Sequence, residues 1–384
     1  MKILIMSVRA GYGHHSTAKA IIEYFSERGH ECEMLDIFDY VNTRLGNTIQ
    51  DMYLLSTKYL YKPYGKVYNK MNQEEEPYDK ISLTSFFSTL ITRKLKSYVK
   101  NFAPDLIIGT HSYAAVVMTL MREKNYIHCP LMGIVTDFTV HPFWESTDLD
   151  HYIIPHSSLT YQMCKKGIKK EALLPIGIPI KKEFSSRLPK QTAREILGIH
   201  TDKPTILVMM GSMGFGNMAE NLMEIDEFDA DFQVMVVCGT NEKAKKSIDK
   251  TKWEKPIYTY AFVNNVDVMM DAADLIISKP GGLTTSESLA KGLPMISLNP
   301  LPGQENKNIS FLTNNGAAIS VNDDFSISEA LYQFFFEKWR IELINEAIAN
   351  LQKPDSTKDL YEFIIANYDK KPQYDKIISG DKND

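Results

Sequence analysis

The chain has 384 residues, of which 44% are hydrophobic and 24% charged, with a formal net charge of -5. That length exceeds one ordinary core and predicts two domains, while the mixed composition excludes fibrous, collagen-like and generally disordered classes. The acidic balance argues against a nucleic-acid partner, which would require a dominant basic face.

Residues 3–7 form a short continuous apolar run, the pattern of a strand buried on both faces. A helix is predicted over about 16–28, where Ala18, Ile21, Ile22 and Phe25 recur at three-and-four spacing and Gly29 ends the run. The rhythm returns with a strand at 106–109, a helix near 114–123 and strands at 131–136 and 152–154, giving an alternating parallel α/β lobe. Residues 174–191, LPIGIPIKKEFSSRLPKQ, are rich in proline and charge and read as an interdomain connection. A second α/β lobe follows, with strands expected at 205–210, 233–238, 257–260, 275–278 and 294–298. The expected boundaries are a first lobe over 1–180, a second over 190–355, a helix over 356–369 packing back on the first lobe, and a disordered tail over 370–384. Two such lobes would bind ligands in the cleft beyond the carboxyl ends of their strands.

One segment breaks the α/β rhythm. Residues 42–99 carry Tyr53, Tyr59, Tyr61, Tyr64, Tyr68, Tyr78 and Tyr98, with Lys58, Lys62, Lys66 and Lys70 at steps of four. Near their end, Phe86, Phe87, Leu90 and Ile91 stand beside Arg93, Lys94 and Lys96. Aromatic and basic character together suit an element lying on anionic lipid, and an ordinary core helix with a solvated basic face fits the same pattern. No apolar stretch approaches the roughly 18 to 20 residues of a bilayer span. The opening MKILIMSV is too short for a secretory signal. Cys32, Cys129, Cys164 and Cys238 lack CxxC or histidine-linked spacing, so neither a zinc site nor a disulfide framework is expected. A cytoplasmic location follows as the expectation.

Five stretches carry candidate chemistry. In GYGHH, Gly11 and Gly13 allow close backbone approach ahead of a helix N-terminus, which suits an anion. The stretch lacks the Gly-Lys-Ser/Thr of a Walker A, and Ser16 replaces the third glycine of a dinucleotide fingerprint. His14 at a strand's carboxyl end is a candidate catalytic group, and His15 reads as structural. In GIVTDFTVHPFW, Asp137 directly follows a buried strand, so it either enters the same cleft, where a His and an Asp could activate a hydroxyl, or caps a turn before Phe138. His111, after the strand at 106–109, is a third candidate with the same ambiguity, and His141, before Pro142, is a weaker one. In VMMGSMGFGN, Gly211, Ser212 and Gly214 can offer backbone N–H groups and a hydroxyl to a diphosphate. In SKPGGLTTSESLAKGLP, Pro280, Gly281 and Gly282 open a helix at a strand end. There Glu287 either closes a capping box with Thr284 or takes both hydroxyls of a ribose. In NPLPGQENKN, Gln304, Glu305 and Asn306 are three adjacent side chains suited to reading sugar hydroxyls. Asp148-Leu-Asp150 and Asp229-Ala-Asp231 imitate a metal-binding DxD, yet both precede predicted strands and are read as chance.

In these stretches the sequence resembles the glycosyltransferases of family 28, above all bacterial processive diacylglycerol glucosyltransferases and plant monogalactosyldiacylglycerol synthases. The resemblance runs from Met1 to about Ala366 and implies a GT-B fold, two Rossmann-like α/β lobes facing a cleft. It implies inverting transfer of a hexose from UDP-glucose or UDP-galactose to diacylglycerol, with no cofactor or metal required. By resemblance His14 and Asp137 are the catalytic pair, with the choice of base left open. The diphosphate would lie near Gly13, Gly211, Ser212, Gly214 and the Pro280-Gly281-Gly282 turn, the ribose on Glu287, the uracil against backbone near Phe262, and the sugar on Gln304 and Glu305. The 42–99 segment would bind acceptor and the anionic cytoplasmic face of the membrane. Tyr12 interrupts a glycine run that plant members carry more fully, which leaves that loop's backbone contacts open. A lipid I type N-acetylglucosaminyltransferase, a UDP-sugar epimerase and a non-catalytic UDP-sugar sensor are the alternatives.

Overall fold

The computed structural model describes residues 1–9, 12–41, 83–210, 218–298, 300 and 303–369, with the backbone alone over 83–90. Two six-stranded sheets carry the chain, every neighbouring pair of strands parallel. The first holds β1 (Lys2–Ser7), β2 (Glu31–Asp36), β3 (Leu106–Gly109), β4 (Leu131–Ile134), β5 (His151–Ile153) and β6 (Leu173–Leu174) in the order β2-β1-β3-β4-β5-β6. The second holds β7 (Thr205–Met209), β8 (Gln233–Val237), β9 (Ile257–Tyr260), β10 (Leu275–Ser278), β11 (Met295–Ser297) and β12 (Ala318–Ser320) in the order β12-β11-β10-β7-β8-β9. The inner strands are buried along their length because helices cover both faces, which is why they read as apolar runs in the sequence.

Both sheets reverse their winding at one place, between β1 and β3 in the first and between β7 and β10 in the second. Loops leaving the carboxyl ends of such a pair diverge and leave a crevice. Among the described residues, the loops after β1, β3 and β10 therefore form the natural site.

Several boundaries differ from expectation. The first helix, α1, runs Gly13–Ser26 and so takes both histidines into its first turn. The strand expected at 131–136 ends at Ile134, so Asp137 follows it at a remove of three residues. The edge strands β2, β6 and β12 were not expected at all. The helix α2 (Ile37–Val41) precedes residues 42–82, whose tyrosine and lysine pattern lies outside the described residues. In α3 (Leu83–Phe102), Ile91, Leu95, Val99 and Phe102 are buried in the first lobe, so the described part of this segment is a core helix. Among the described residues no helix is long and apolar enough to cross a membrane.

The chain crosses between lobes twice, and the crossings touch. Ser356 donates its hydroxyl to Ile178 O and Thr357 to Ile180 O. Gly177, at φ +107°, lies so close to Lys353 that a side chain there would strike its Cγ at 2.9 Å. Beyond the second crossing the helix Ser356–Tyr368 sets Leu360 and Ile364 into a buried cluster with Ile3, Ile5, Ile21 and Phe25. The tail over 370–384 lies outside the described residues.

Candidate active site

His14 stands in the first turn of α1, where the crevice of the first sheet opens. Its Nδ1 lies 2.7 Å from the carbonyl oxygen of Thr110, the residue after β3, and 3.0 Å from Thr136 Oγ1. A carbonyl can only accept, so Nδ1 carries the hydrogen and the lone pair of the neutral ring sits on Nε2. Thr110 is itself fixed, buried with its hydroxyl donated to Ser7 Oγ at 2.9 Å. Burial pulls the His14 pKa below the ordinary imidazole value, against the opposing pull of the Asp137 charge and the Thr110 carbonyl. The ring is thus held neutral in the tautomer that leaves Nε2 basic, as a general base requires.

The neighbouring histidines have other duties. His15 Nε2 pairs with Asp36 Oδ2 at 3.0 Å at the end of β2. The His111 ring packs edge-on to His14 with centroids 4.5 Å apart, but its Nδ1 accepts from Tyr113 N and caps α4 (Ser112–Glu123). His141 likewise caps the short helix Pro142–Ser146 through Phe143 N, with its pKa brought down to about 4 by burial and then by Lys166 and Lys307.

Asp137 does not cap a turn. Its Oδ1 accepts from Asn308 Nδ2 at 3.0 Å, across the boundary between the lobes. Burial raises its pKa above the usual carboxylate range, with Asn308 and His14 acting in the opposite sense. The residue after it, Phe138, belongs to the second lobe's core, where its ring meets Phe311 at 5.2 Å. Its amide donates to Asn308 Oδ1 at 2.8 Å.

After α5 (Thr160–Lys165), α6 (Lys190–Leu197), α7 (Met218–Glu227), α8 (Glu242–Lys250) and α9 (Val266–Ala272), the helix α10 (Gly282–Ala290) brings the second lobe to the same point. A Cβ on Gly282 would overlap the Thr136 carbonyl oxygen and fall 3.2 Å from Asp137 Cα, so only glycine lets the two backbones meet here. A Cβ on Gly13 would lie 3.8 Å from Leu283 Cβ. The N-termini of α1 and α10, each with first-turn amides that lack intrahelical acceptors, therefore converge from opposite lobes, a suitable setting for negative charge.

The capping box, one of the two readings of Glu287, is absent, because α10 begins at Gly282 and its cap residue Gly281 makes no side-chain bond. Glu287 falls in the second turn instead, half-buried, with its pKa pushed up to about 8 by burial, opposed by Lys181 and aided by Asp267. Pro280 is buried and its carbonyl accepts from Asn308 Nδ2 at 3.0 Å. Phe262, just past β9, is 58% exposed and free to cover a flat ligand. Gln304 and Glu305 open α11 (Gln304–Asn314) behind Gly303, both half-buried, whereas Asn306 is exposed. Gly211, Ser212 and Gly214 lie outside the described residues. Neither acidic DxD-like string gathers at the cleft. Asp150 pairs with Arg122 and accepts from Leu131 N, and Asp231 pairs with Lys203.

Sequence reasoning overlooked Thr110, Thr136 and Asn308. For Asn308 a signal was present, since on a helix it shares a face with Gln304 and Glu305, four and three residues earlier, while Asn306 turns away from it.

Residues 14–180 match the family model for monogalactosyldiacylglycerol (MGDG) synthase, and residues 205–359 match that for the glycosyltransferase family 28 C-terminal domain. A processive diacylglycerol beta-glucosyltransferase of Bacillus cereus (strain AH187) is 27% identical, the alignment covering 98% of this chain and 97% of the relative. Among solved structures, MurG of Acinetobacter baumannii aligns with a TM-score of 0.62 at 18% identity, over 95% of this chain and 99% of its own. The UDP-GlcNAc 2-epimerase of Neisseria meningitidis, bound to UDP-GlcNAc, aligns with a TM-score of 0.57 at 13% identity, over 96% and 100%. These structural likenesses speak for the fold. On the sequence matches, the chain belongs to the GT-B glycosyltransferases that join a domain of the MGDG-synthase type to a family 28 C-terminal domain.

Proposed function

We propose that the chain moves a hexose from a UDP-sugar to the free hydroxyl of diacylglycerol, with inversion, to give a β-glycosyl diacylglycerol. The observation that carries this reading is that His14 and Asp137 lie near enough at the meeting of the lobes for their charges to interact, His14 being held by Thr110 O with Nε2 as its basic nitrogen. Nε2 takes the proton of the acceptor hydroxyl, and the Asp137 carboxylate stabilises the imidazolium that results. The hydroxyl oxygen attacks the anomeric carbon on the face opposite the departing UDP. The growing charge on the diphosphate meets the α10 N-terminus, an electrostatic role that needs no metal. Glu287 holds the ribose, Phe262 covers the uracil, and Gln304 with Glu305 reads the sugar. The name of the Bacillus cereus relative favours glucose. The acceptor dissolves in the bilayer, so the chain works as a peripheral protein on an anionic cytoplasmic surface.

The test is to incubate purified protein with diacylglycerol vesicles and UDP-glucose or UDP-galactose, and to analyse the lipids. A glycolipid from one donor is the expected result. Tight UDP binding without glycolipid from either donor overturns the reading and leaves a sensor, and conversion of one UDP-sugar to its epimer without lipid product leaves an epimerase.

A further inference from the structure

Asn308 is fully buried, and its amide makes three bonds that commit both of its hydrogens. Oδ1 accepts from Phe138 N at 2.8 Å, and Nδ2 donates to Pro280 O and to Asp137 Oδ1, each at 3.0 Å. The backbone partners fix the orientation, because an N–H can only donate and a carbonyl can only accept. The amide nitrogen must therefore face Asp137. Both amide hydrogens are committed and the side chain is buried, so Asn308 is placed as a tie between backbone segments, unlike its half-buried helix neighbour Gln304. Two of the three bonds go to consecutive residues of the first lobe, and the third goes to the turn that opens α10 in its own lobe. The same segment is held to the second lobe by the Phe138 ring in its core and by Gly282 against the Thr136 carbonyl, and to the first lobe by Thr136 Oγ1, 3.0 Å from His14 Nδ1.

We propose that Asn308 is a positioning residue that latches the lobes and aims the Asp137 carboxylate, so that the His14–Asp137 pair is assembled only in the closed arrangement. An opening of the cleft would separate Asn308 from Asp137 and Phe138 together and leave the carboxylate without its orienting donor. A base that matures only on closure deprotonates a hydroxyl bound in the shut cleft and spares the activated sugar from water in the open one.

The inference rests on the transferase reading for its kinetic arm only. Asn308→Ala removes all three bonds, whereas Asn308→Asp keeps the acceptor for Phe138 N–H and loses both donors. Amide exchange at Phe138 should therefore speed up at least tenfold in the alanine variant and stay near wild type in the aspartate variant. This readout needs no turnover. In glycolipid synthesis both variants should lose on the order of 100-fold in kcat, with the donor KM changed less than about threefold. The acid limb of kcat/KM should move to higher pH in both, because Asp137 loses the donor that favours its ionised form. Unchanged Phe138 exchange in Asn308→Ala overturns the latch. A rate loss that follows the donor KM or thermal stability, with the acid limb unmoved, assigns Asn308 a packing role and overturns the positioning. A wild-type protein that makes no glycolipid but reproduces the exchange pattern refutes the transferase reading and leaves the latch standing.

Discussion

Gly282→Ala asks whether contact between the lobes sets the geometry of the site. The added methyl would overlap the Thr136 carbonyl oxygen and stand 2.9 Å from its carbonyl carbon and 3.2 Å from Asp137 Cα. All three atoms are backbone and cannot swing aside, so the lobes must part. Restoring a carbon–oxygen separation of about 3.3 Å takes a displacement of about 1 Å or more. The Asn308–Asp137 bond, 3.0 Å at rest, then reaches about 4 Å and no longer exists. A hydrogen bond to a charged group contributes about 1.5–3 kcal/mol, and roughly 2.7 kcal/mol is 100-fold in rate. Ångström-scale misplacement of reacting groups costs about the same. We therefore expect kcat for sugar transfer to fall on the order of 100-fold at saturating donor. Both lobes keep their cores, so thermal unfolding should shift by only a few degrees. A kcat within about threefold of wild type would refute the idea that the lobe contact aims Asp137.

Three further outcomes follow from the same geometry. His14→Ala should keep UDP affinity and lose turnover by about 100-fold or more, and in the wild type protonation of His14 should have its midpoint below 6.5, since burial lowers the ring's pKa; wild-type turnover in the variant returns His14 to a structural role. Glu287, whose folded pKa of about 8 lies above its ordinary 4.5, keeps in the folded chain a proton that the unfolded chain has released, so its effect makes stability fall as pH rises between those values. Glu287→Gln should flatten that slope in denaturant titrations at pH 5 and 8, and equal slopes in the two proteins count against it. Lys291 and Asp271 form an ion pair at 2.8 Å with side chains 1% and 3% exposed. Asp271→Asn strands the buried ammonium and should destabilise by about 3–5 kcal/mol, read as a lowered denaturation midpoint, whereas a loss under 1 kcal/mol would mean that Lys291 finds water.

What the sequence disclosed follows the physics of burial. Inner strands such as β3 and β10 could be placed to the residue where helices cover them, and so could the edge strand β9, whose four residues turn signals bound. The missed strands β2, β6 and β12 all lie at sheet edges. There β2 alternates exposed and partly buried residues, and β6 and β12 have only two and three residues. His14 and Asp137 were legible because residues after buried strands of a parallel sheet enter the cleft. Their partners were not. Thr110 acts through a backbone carbonyl, which no side-chain pattern reports, and Asn308 meets Asp137 only because the two lobes close on each other. The Glu287 capping box failed for a local reason, since the helix starts two residues before Thr284.

The return of the last described helix to the first sheet bears on how the molecule is made. Leu360 and Ile364 complete the cluster that covers Ile3, Ile5 and Phe25, so contacts between the two ends of the chain finish the lobe that leaves the ribosome first. The second lobe's sheet is contiguous in sequence and can fold as soon as it emerges. The first lobe is therefore whole only after the second lobe's sheet has been made, and the loop that closes on it is long, which slows that contact. A nascent chain stopped before Ser356 would hold a finished second lobe beside a first lobe whose apolar face is still open to water, the form most exposed to aggregation.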